Sequence, residues 1–175
     1  MLDIVEKEYT TQNFKRNTIK WYTDGSTTTT GAGAGIYGSS TKCTIALGSH
    51  SSAFQAEIIT IEKCVDINLE RNYQGCDIVI HSDSQAAIEA LNSYVTDSKL
   101  IWECRSKLNE VGKKNKVSLV WVPGHSGIKG NEEADTLARK GAQTPLTGPE
   151  PFCGVCKNIY KKEFLEKEEN KRELL

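Results

Sequence analysis

Four acidic residues, each in a different local context, are the residues of this chain best suited to chemistry. Asp24 in W-Y-T-D-G-S and Asp83 in I-V-I-H-S-D-S end stretches that are typical of β-strands. Glu57 in F-Q-A-E and Asp135 in N-E-E-A-D lie in segments typical of helices. Mg²⁺ prefers carboxylate and water oxygens, and two such ions about 3.5–4 Å apart commonly cleave phosphodiesters. If the four side chains converge, the sequence predicts a metal site, because crowded carboxylates are costly unless a cation neutralises them.

The first half of the chain predicts an antiparallel meander followed by a helix. Strands are expected over 18–23, 31–38 and 42–47, joined by short turns. The glycines of 31–38 lack the Lys-Ser/Thr of a phosphate-binding loop, and they favour a small-residue strand pressed close to its neighbours. Apolar residues then recur at helical spacing over 53–70, and Glu57 falls at the margin of that stripe. From this margin its carboxylate could point along the sheet towards a strand end.

The second half of the chain alternates strands and helices. We expect a central parallel strand over 76–83, helices over 85–92 and 99–111, a strand over 117–122 and a helix over 132–140. Ser84 and Asn131 are the expected N-caps of the helices that follow them. Antiparallel strands followed by crossover helices predict an α/β fold with a mixed five-stranded sheet and helices on both faces.

Composition and the positions of proline and glycine divide the 175 residues into one domain with two flanking segments. We expect an N-terminal tail or linker over 1–17, a domain over 18–145 and a charged C-terminal extension over 146–175, after a Pro/Gly-rich break. The net charge of −1 gives no basic field of the kind that marks many nucleic-acid binders. No apolar run has the length of a signal peptide or a membrane span, so a soluble protein without membrane association is expected.

Cysteine usage favours an intracellular protein, in the cytoplasm or nucleus. The six cysteines lack the density of a disulfide scaffold, and most lie inside predicted helices or strands. Cys153 and Cys156 have the spacing of half a zinc site, but no second Cys or His pair follows them. We therefore interpret this pair as local packing and not as a zinc site.

The segments around the four acids resemble one known family. W-Y-T-D-G-S, F-Q-A-E, H-S-D-S-Q and W-V-P-G-H-S-G-I-K-G-N-E-E-A-D resemble the ribonuclease H family in identity, order and spacing, over about residues 18–145. The closest likeness is to the ribonuclease H domains of non-LTR retrotransposon polyproteins of the jockey type, and G-P-E-P-F-C-G-V extends it. The resemblance implies a ribonuclease H-like fold and an endoribonuclease that hydrolyses the RNA strand of RNA–DNA hybrids. It also implies a reverse transcriptase domain in the same polyprotein, with the isolated domain a monomer.

The resemblance also implies roles for individual residues. Two Mg²⁺ ions, for which Mn²⁺ can substitute, would be bridged by Asp24. Glu57 and Asp83 would complete the coordination of one ion, and Asp135 would complete that of the other. His125 would assist proton transfer and product departure. The resemblance further implies substrate contacts at Gly25, Ser26, Thr27, Ser84 and Gln85. The first three would touch RNA 2′-hydroxyls, which distinguish RNA from DNA, and Gln85 would read the minor groove of the hybrid.

Two departures from the family pattern predict weak substrate binding by the isolated domain. Ala53 and Phe54 stand where many family members place asparagines for groove contacts, and the basic insertion before the histidine is missing. Two other functions stay open: a catalytically degenerate binding or connection module, and a related two-metal, transposase-like DNA nuclease. Retention of all four acids disfavours the first, and the His125 loop with the fourth acid disfavours the second.

Overall fold

A mixed six-stranded β-sheet forms the centre of the computed structural model, which describes residues 2–5 and 17–151. The strands are β1 (Leu2–Val5), β2 (Thr18–Thr27), β3 (Ala32–Gly38), β4 (Thr41–Gly48), β5 (Asp77–Ser82) and β6 (Lys116–Trp121). They lie in the order β1-β6-β5-β2-β3-β4. Strands β2, β3 and β4 pair antiparallel, whereas β5 pairs parallel with β2 and β6, and β1 pairs parallel with β6. The predicted mixed sheet is confirmed in strands β2 to β6, with β5 at its centre.

Strand β1 adds a sixth strand at one edge of the sheet. Its residues pair with β6 from Leu2↔Val117 to Val5↔Val120, within the stretch expected to be a tail or linker. The segment L-D-I-V does not alternate strictly between apolar and polar residues, so it carries no period-two signal in the sequence. The formation of β1 therefore depends on its pairing with β6, a strand that is distant in the sequence.

Four helices cover the sheet: α1 (Ala53–Glu70), α2 (Gln85–Asn92), α3 (Lys99–Gly112) and α4 (Lys129–Gln143). Gly25 and Gly35 show that α1 and α4 lie on opposite faces. Asp24 pairs with Gly35, and the next residue, Gly25, points to the other face because side chains alternate along a strand. A Cβ at Gly25 would collide with the backbone of α1, and a Cβ at Gly35 with the backbone of α4. Helices on both faces are therefore confirmed.

Close packing of α4 explains the glycine-rich strand β3. Gly33 and Gly35 lie directly under the α4 backbone at Ala134, Ala138 and Ala142, where no Cβ would fit. The structural interpretation of these glycines is confirmed. On the other face, the core is built around Trp21, whose Nε1 donates to Asn68 Oδ1 at 3.0 Å, and around Ile58, Ile61, Ile80, Leu108 and Leu119.

Element boundaries differ from the sequence prediction at two places that bear on the site. Strand β2 continues three residues beyond Asp24, because its antiparallel pairing with β3 extends to Thr27↔Ala32. Helix α4 begins at Lys129 with Ile128 in the N-cap position, so the prediction of Asn131 as N-cap is wrong. Ser84 is confirmed as the N-cap of α2, since its side chain accepts from the Ala87 N–H at 3.3 Å.

After α4 the described chain has no regular structure, as the Pro/Gly-rich break predicts. Glu150 attaches this segment to the end of β4, where it accepts hydrogen bonds from the backbone N–H groups of Ser49 at 2.9 Å and His50 at 3.2 Å. The part of the charged C-terminal extension beyond residue 151, including the Cys153–Cys156 pair, lies outside the described residues. Among the helices that are described, none is long and apolar enough to cross a membrane.

Candidate active site

Three of the four acids meet at the carboxyl ends of the central parallel strands. The pairing of β2 with β5 ends at Thr23↔Ser82, so Asp24 and Asp83 are the next residues on two neighbouring strands. Glu57 reaches them from the second turn of α1. Carboxylate oxygens of Asp24, Glu57 and Asp83 all lie within 4.8 Å of one another. The carboxyl ends of parallel strands are the usual ligand site of such sheets.

Local contacts hold Glu57 against the sheet. A capping box starts α1: Ser52 Oγ accepts from the Gln55 N–H at 3.2 Å, and Gln55 Oε1 accepts from the Ser52 N–H at 2.9 Å. Gly25 lets the helix backbone approach β2, and its own N–H donates to the Glu57 carboxylate. The Thr60 hydroxyl, one turn further along α1, donates to the Ala56 carbonyl at 2.6 Å and also lies 3.2 Å from the Asp24 carbonyl. As a result Glu57 is only 8 % exposed.

Burial and mutual repulsion change the protonation of the cluster. Burial, together with the charges of Asp24 and Asp83, raises the pKa of Glu57 from 4.5 to about 9, although the Gly25 hydrogen bond opposes this rise. Burial also raises the pKa of Asp24 from 3.8 to about 7, with the charges of Asp83 and Asp135 as further causes and Arg139 opposing them. Without a cation, the cluster therefore retains protons near neutral pH.

The cluster has the donor set of a hard divalent cation. It consists of carboxylate oxygens, which Mg²⁺ and Mn²⁺ accept as ligands. Glu57 Oε2 is buried and has no hydrogen-bond partner among the described residues. An unsatisfied buried carboxylate oxygen is costly, and a bound cation would remove that cost. These residues therefore fit a divalent metal.

The fourth acid lies beside this cluster, in a second group on α4. One carboxylate oxygen of Asp135, one of Glu132 and a ring nitrogen of His125 lie within 4.8 Å of one another, and the His125 side chain is exposed. The charge of Asp135 still contributes to the raised pKa of Asp24, so the two groups are adjacent. Arg139 donates to Asp135 from Nε at 2.9 Å and from Nη2 at 2.5 Å, an i,i+4 pair on the helix. Asp135 is thus paired with a guanidinium while its charge acts on Asp24 in the carboxylate cluster.

The loop between β6 and α4 brings His125 to the mouth of the site. His125 has φ +51°, an uncommon backbone conformation for a residue other than glycine. A Cβ at Gly124 would lie 2.9 Å from Asp83 Oδ2, so the loop rests directly on a site carboxylate. Ser126 Oγ closes the turn by donating to the Pro123 carbonyl at 2.8 Å. Both predicted residues of the α4 region, His125 and Asp135, are therefore brought together.

Three further residues reach the site although the sequence did not predict them as site residues: Asn131, Glu132 and Arg139. Each lies three or four positions from Asp135, and such positions share one face of a helix. That spacing is the signal that could have found them. Asn131 is 2 % exposed, and its Nδ2 donates to Asp83 Oδ2 at 3.1 Å. The amide is therefore a site component, where the sequence predicted a helix cap.

The predicted substrate residues line the two strand ends. Ser26 is half-buried and Thr27 is exposed at the end of β2. The space beside Gly25, where a side chain would stand, is filled by the backbone of α1. Ser84 Oγ is engaged as the α2 cap. Gln85 is exposed, and its Nε2 donates to Glu89 at 2.8 Å. Their contacts with nucleic acid stay a prediction.

Comparison with known proteins gives a consistent set of matches. The RNase H family model matches residues 16–143. Ribonuclease H1 of Homo sapiens is 31% identical over 142 residues, which cover 70% of this chain and 49% of that protein. Ribonuclease H of Nitrosospira multiformis is 32% identical over 92 residues, or 46% of this chain and 59% of that protein. The chain thus spans about half the length of these relatives.

One solved structure supports the fold. The crystal structure of RNase H1 from the halophilic archaeon Halobacterium salinarum NRC-1 matches with a TM-score of 0.56 and 20% identity. The match covers 71% of this chain and 96% of that chain. At this identity the likeness shows a shared α/β fold.

Proposed function

This chain belongs to the ribonuclease H family, and on that premise we propose that it is an endoribonuclease hydrolysing the RNA strand of RNA–DNA hybrids. The observation that carries the proposal is the cluster of three carboxylates within 4.8 Å where the parallel pairing of β2 and β5 ends. Asp135 and His125 beside it supply a fourth acid and a group that can carry protons. Crowded, buried carboxylates are costly to the fold, which supports a functional reason for keeping them.

The site would hold two divalent ions. Asp24, Glu57 and Asp83 would hold one Mg²⁺, and Asp24 with Asp135 would hold the other, with Mn²⁺ able to replace either. When bound, such ions supply Lewis acidity and a water of low pKa, which phosphodiester hydrolysis requires. The raised pKa values of Asp24 and Glu57 mean that both carboxyls would release protons as the ions bind.

The other groups of the site would move protons and position the hybrid. His125, exposed at the mouth, would exchange protons between the reacting phosphate region and solvent and assist product departure. The backbone of Gly25, Ser26 and Thr27 would contact 2′-hydroxyls of the RNA strand. Ser84 and Gln85 follow Asp83 directly, which supports a role for Gln85 in the minor groove.

We further propose that the domain works within a reverse transcriptase polyprotein of the jockey type, as a monomer when isolated. The likeness of its four motifs to that group supports the context, with a domain at about 18–145 between flanks at 1–17 and 146–175. The described cysteines Cys43, Cys64, Cys76 and Cys104 are free thiols. Free thiols support an intracellular location, in the cytoplasm or nucleus.

A cleavage assay on three labelled substrates tests the proposed function. The protein is incubated in Mg²⁺ with an RNA–DNA hybrid, a duplex RNA and a duplex DNA of the same sequence, and again with excess chelator. We expect cleavage of the RNA strand of the hybrid alone, abolished by the chelator. Equal cutting of duplex DNA would support the transposase-like nuclease, and hybrid binding without cleavage would support a degenerate binding module.

A further inference from the structure

We propose that Asn131 is a positioning residue that orients the carboxylate of Asp83 for a divalent metal. The inference rests on the proposed function only in taking Asp83 as a metal ligand. Groups that hydrogen-bond to metal ligands fix the rotation of those ligands, and their loss costs metal affinity although they never touch the ion. Asn131 would be such a group.

The fold places Asn131 for this contact at the start of α4. Gly130 lies against the ring of Tyr22 on β2, and a Cβ at that glycine would collide with the ring. The glycine thus lets the first turn of α4 sit directly on the sheet. The next residue, Asn131, is consequently 2 % exposed, and its amide reaches Asp83 Oδ2 at 3.1 Å.

The chemistry of the contact determines the orientation of the amide. Turning the Asn131 amide by 180° would place its oxygen against a carboxylate oxygen, so the N–H group must face Asp83. This leaves Asn131 Oδ1 buried, with no hydrogen-bond partner among the described residues. A buried unsatisfied acceptor is costly. A water coordinated by a cation at Asp83 is a strong donor and would satisfy it.

Asp83 is held by a hydrogen bond on its main chain and by another, from Asn131, on its carboxylate. Trp121 Nε1 donates to the Asp83 backbone carbonyl at 3.0 Å, which holds the main chain. The missing side chain at Gly124 leaves room for Oδ2. The Asn131 hydrogen bond holds Oδ2, while an oxygen of the same carboxylate lies within 4.8 Å of ligand atoms of Asp24 and Glu57. Loss of the amide would therefore free one oxygen of a carboxylate that belongs to the cluster.

Calorimetric titration of the metal alone tests the proposal. Mg²⁺, and Mn²⁺ as a second probe, are titrated into the wild type, Asn131→Ala and Asn68→Ala. Asn68 is a matched control: it is also 2 % exposed, and its amide bonds Trp21 and Cys64 in the core. Both variants lose a buried amide and should unfold at lower temperature. We expect only Asn131→Ala to lose metal affinity, by roughly 10- to 100-fold, and to need correspondingly more Mg²⁺ for half-maximal cleavage.

Metal affinity of Asn131→Ala equal to that of the wild type would overturn the proposal, as would an equal loss in Asn68→Ala. If Asn131→Ala does not fold, Asn131→Ser takes its place, because serine suits the first turn of a helix and its hydroxyl is too short to reach Asp83. The same loss is expected for it. Failure of the proposed function is separable: a wild type that binds Mg²⁺ but leaves hybrid uncut refutes the hydrolase, while the comparison of metal affinities still decides the role of Asn131. A wild type that binds neither metal refutes both.

Discussion

Asp24 is the residue on which the site depends most, because it lies between the two acidic groups. Its carboxylate belongs to the cluster with Glu57 and Asp83, and the charge of Asp135 acts on it from α4. Its pKa is raised to about 7, first by burial and then by these neighbours. Losing this side chain would therefore affect both proposed metal positions at once.

We predict that Asp24→Asn lowers the rate of hybrid cleavage by at least ~10³-fold and leaves the fold intact. The amide keeps the shape of the carboxyl but cannot supply the negative charge that divalent cations require. Cleavage of labelled hybrid in Mg²⁺ measures the effect. Asp97→Asn, which removes one charge at an exposed position between α2 and α3, is the control and should retain full activity. Robust cleavage by Asp24→Asn would refute the mechanism.

His125 should contribute to the rate without holding the metal. Its ring is exposed on a loop, near Glu132 and Asp135 but apart from the carboxylate cluster. We predict that His125→Ala slows turnover by about 10²-fold, the usual scale of general acid–base assistance, with Mg²⁺ affinity within twofold of the wild type. His50→Ala removes another exposed histidine and serves as control. If His125→Ala lost a metal site in titration, the histidine would be a ligand.

At the scale of elements, close backbone approach decides how the site is assembled. Gly25 admits α1 to β2, Gly33 and Gly35 admit α4 to β3, and Gly124 admits the His125 loop to Asp83. In each case a Cβ would displace an element that carries a site residue. These small residues are therefore part of how the site is assembled.

We predict that Gly124→Ala slows hybrid cleavage by roughly 10-fold or more, with little change in stability. Gly124 does not have a positive φ, so alanine fits its backbone, and its only close contact is the Asp83 carboxylate at 2.9 Å from the added Cβ. The methyl group must displace either the loop or the carboxylate, and displacements of this size are costly to catalysis. Single-turnover cleavage and thermal unfolding measure the two effects. Ser126→Ala in the same loop is the control; equal rates for both variants would contradict the prediction.

At the scale of the whole molecule, the carboxylate cluster makes the metal-free fold sensitive to pH. An acid whose pKa is raised on folding stabilises the fold only while it is protonated. For Glu57, with a pKa of 4.5 raised to about 9, this contribution is complete below about pH 4.5 and is lost as the pH rises towards 9. The contribution of Asp24, whose pKa is raised from 3.8 to about 7, is lost in the same way as the pH rises between these two values.

We predict that, in chelator, Glu57→Gln has a higher free energy of unfolding than the wild type at pH 8, by at least ~1 kcal/mol, since one pKa unit corresponds to about 1.4 kcal/mol. At pH 4.5 the difference should shrink towards zero. Urea unfolding at both pH values measures it. Saturating Mg²⁺ should reverse the order at pH 8, because only the wild type binds the ion fully. An unchanged difference across pH would show that Glu57 titrates normally.

Charge distribution should make the isolated chain a weak binder of hybrid. The sequence has 22 Lys+Arg against 23 Asp+Glu, and the connection between α2 and α3, at 93–98, contains neither lysine nor arginine. Affinity for nucleic acid comes largely from phosphate neutralisation, with a salt slope of roughly −0.9 per contact on B-form DNA. We predict affinity weaker than about 1 μM at physiological salt, with a shallow salt slope. Fluorescence anisotropy across salt concentrations tests this, and nanomolar binding with a steep slope would reveal an overlooked basic surface.

Fusing the chain to a basic hybrid-binding module should restore the affinity for hybrid that the isolated chain lacks. Tethering raises apparent affinity through effective concentration, without a new contact at the site. The fused protein should therefore cleave at lower hybrid concentration with an unchanged maximal rate. A changed maximal rate would indicate that the missing basic segment acts on the chemistry as well as on binding.

The sequence by itself determined what local order can encode. Apolar periodicity located α1, the glycine-rich small-residue run located β3 and the Ser84 cap located the start of α2. The acids in their four motifs identified a candidate metal site, because each of these signals is carried by residues near one another in the chain. The tertiary structure decided the rest. Strand β1 exists through pairing with β6, and Asn131 is a partner of Asp83 because Gly130 lets α4 sit on Tyr22. Such contacts join residues far apart in sequence, so their energy depends on how the elements pack and no local pattern predicts it.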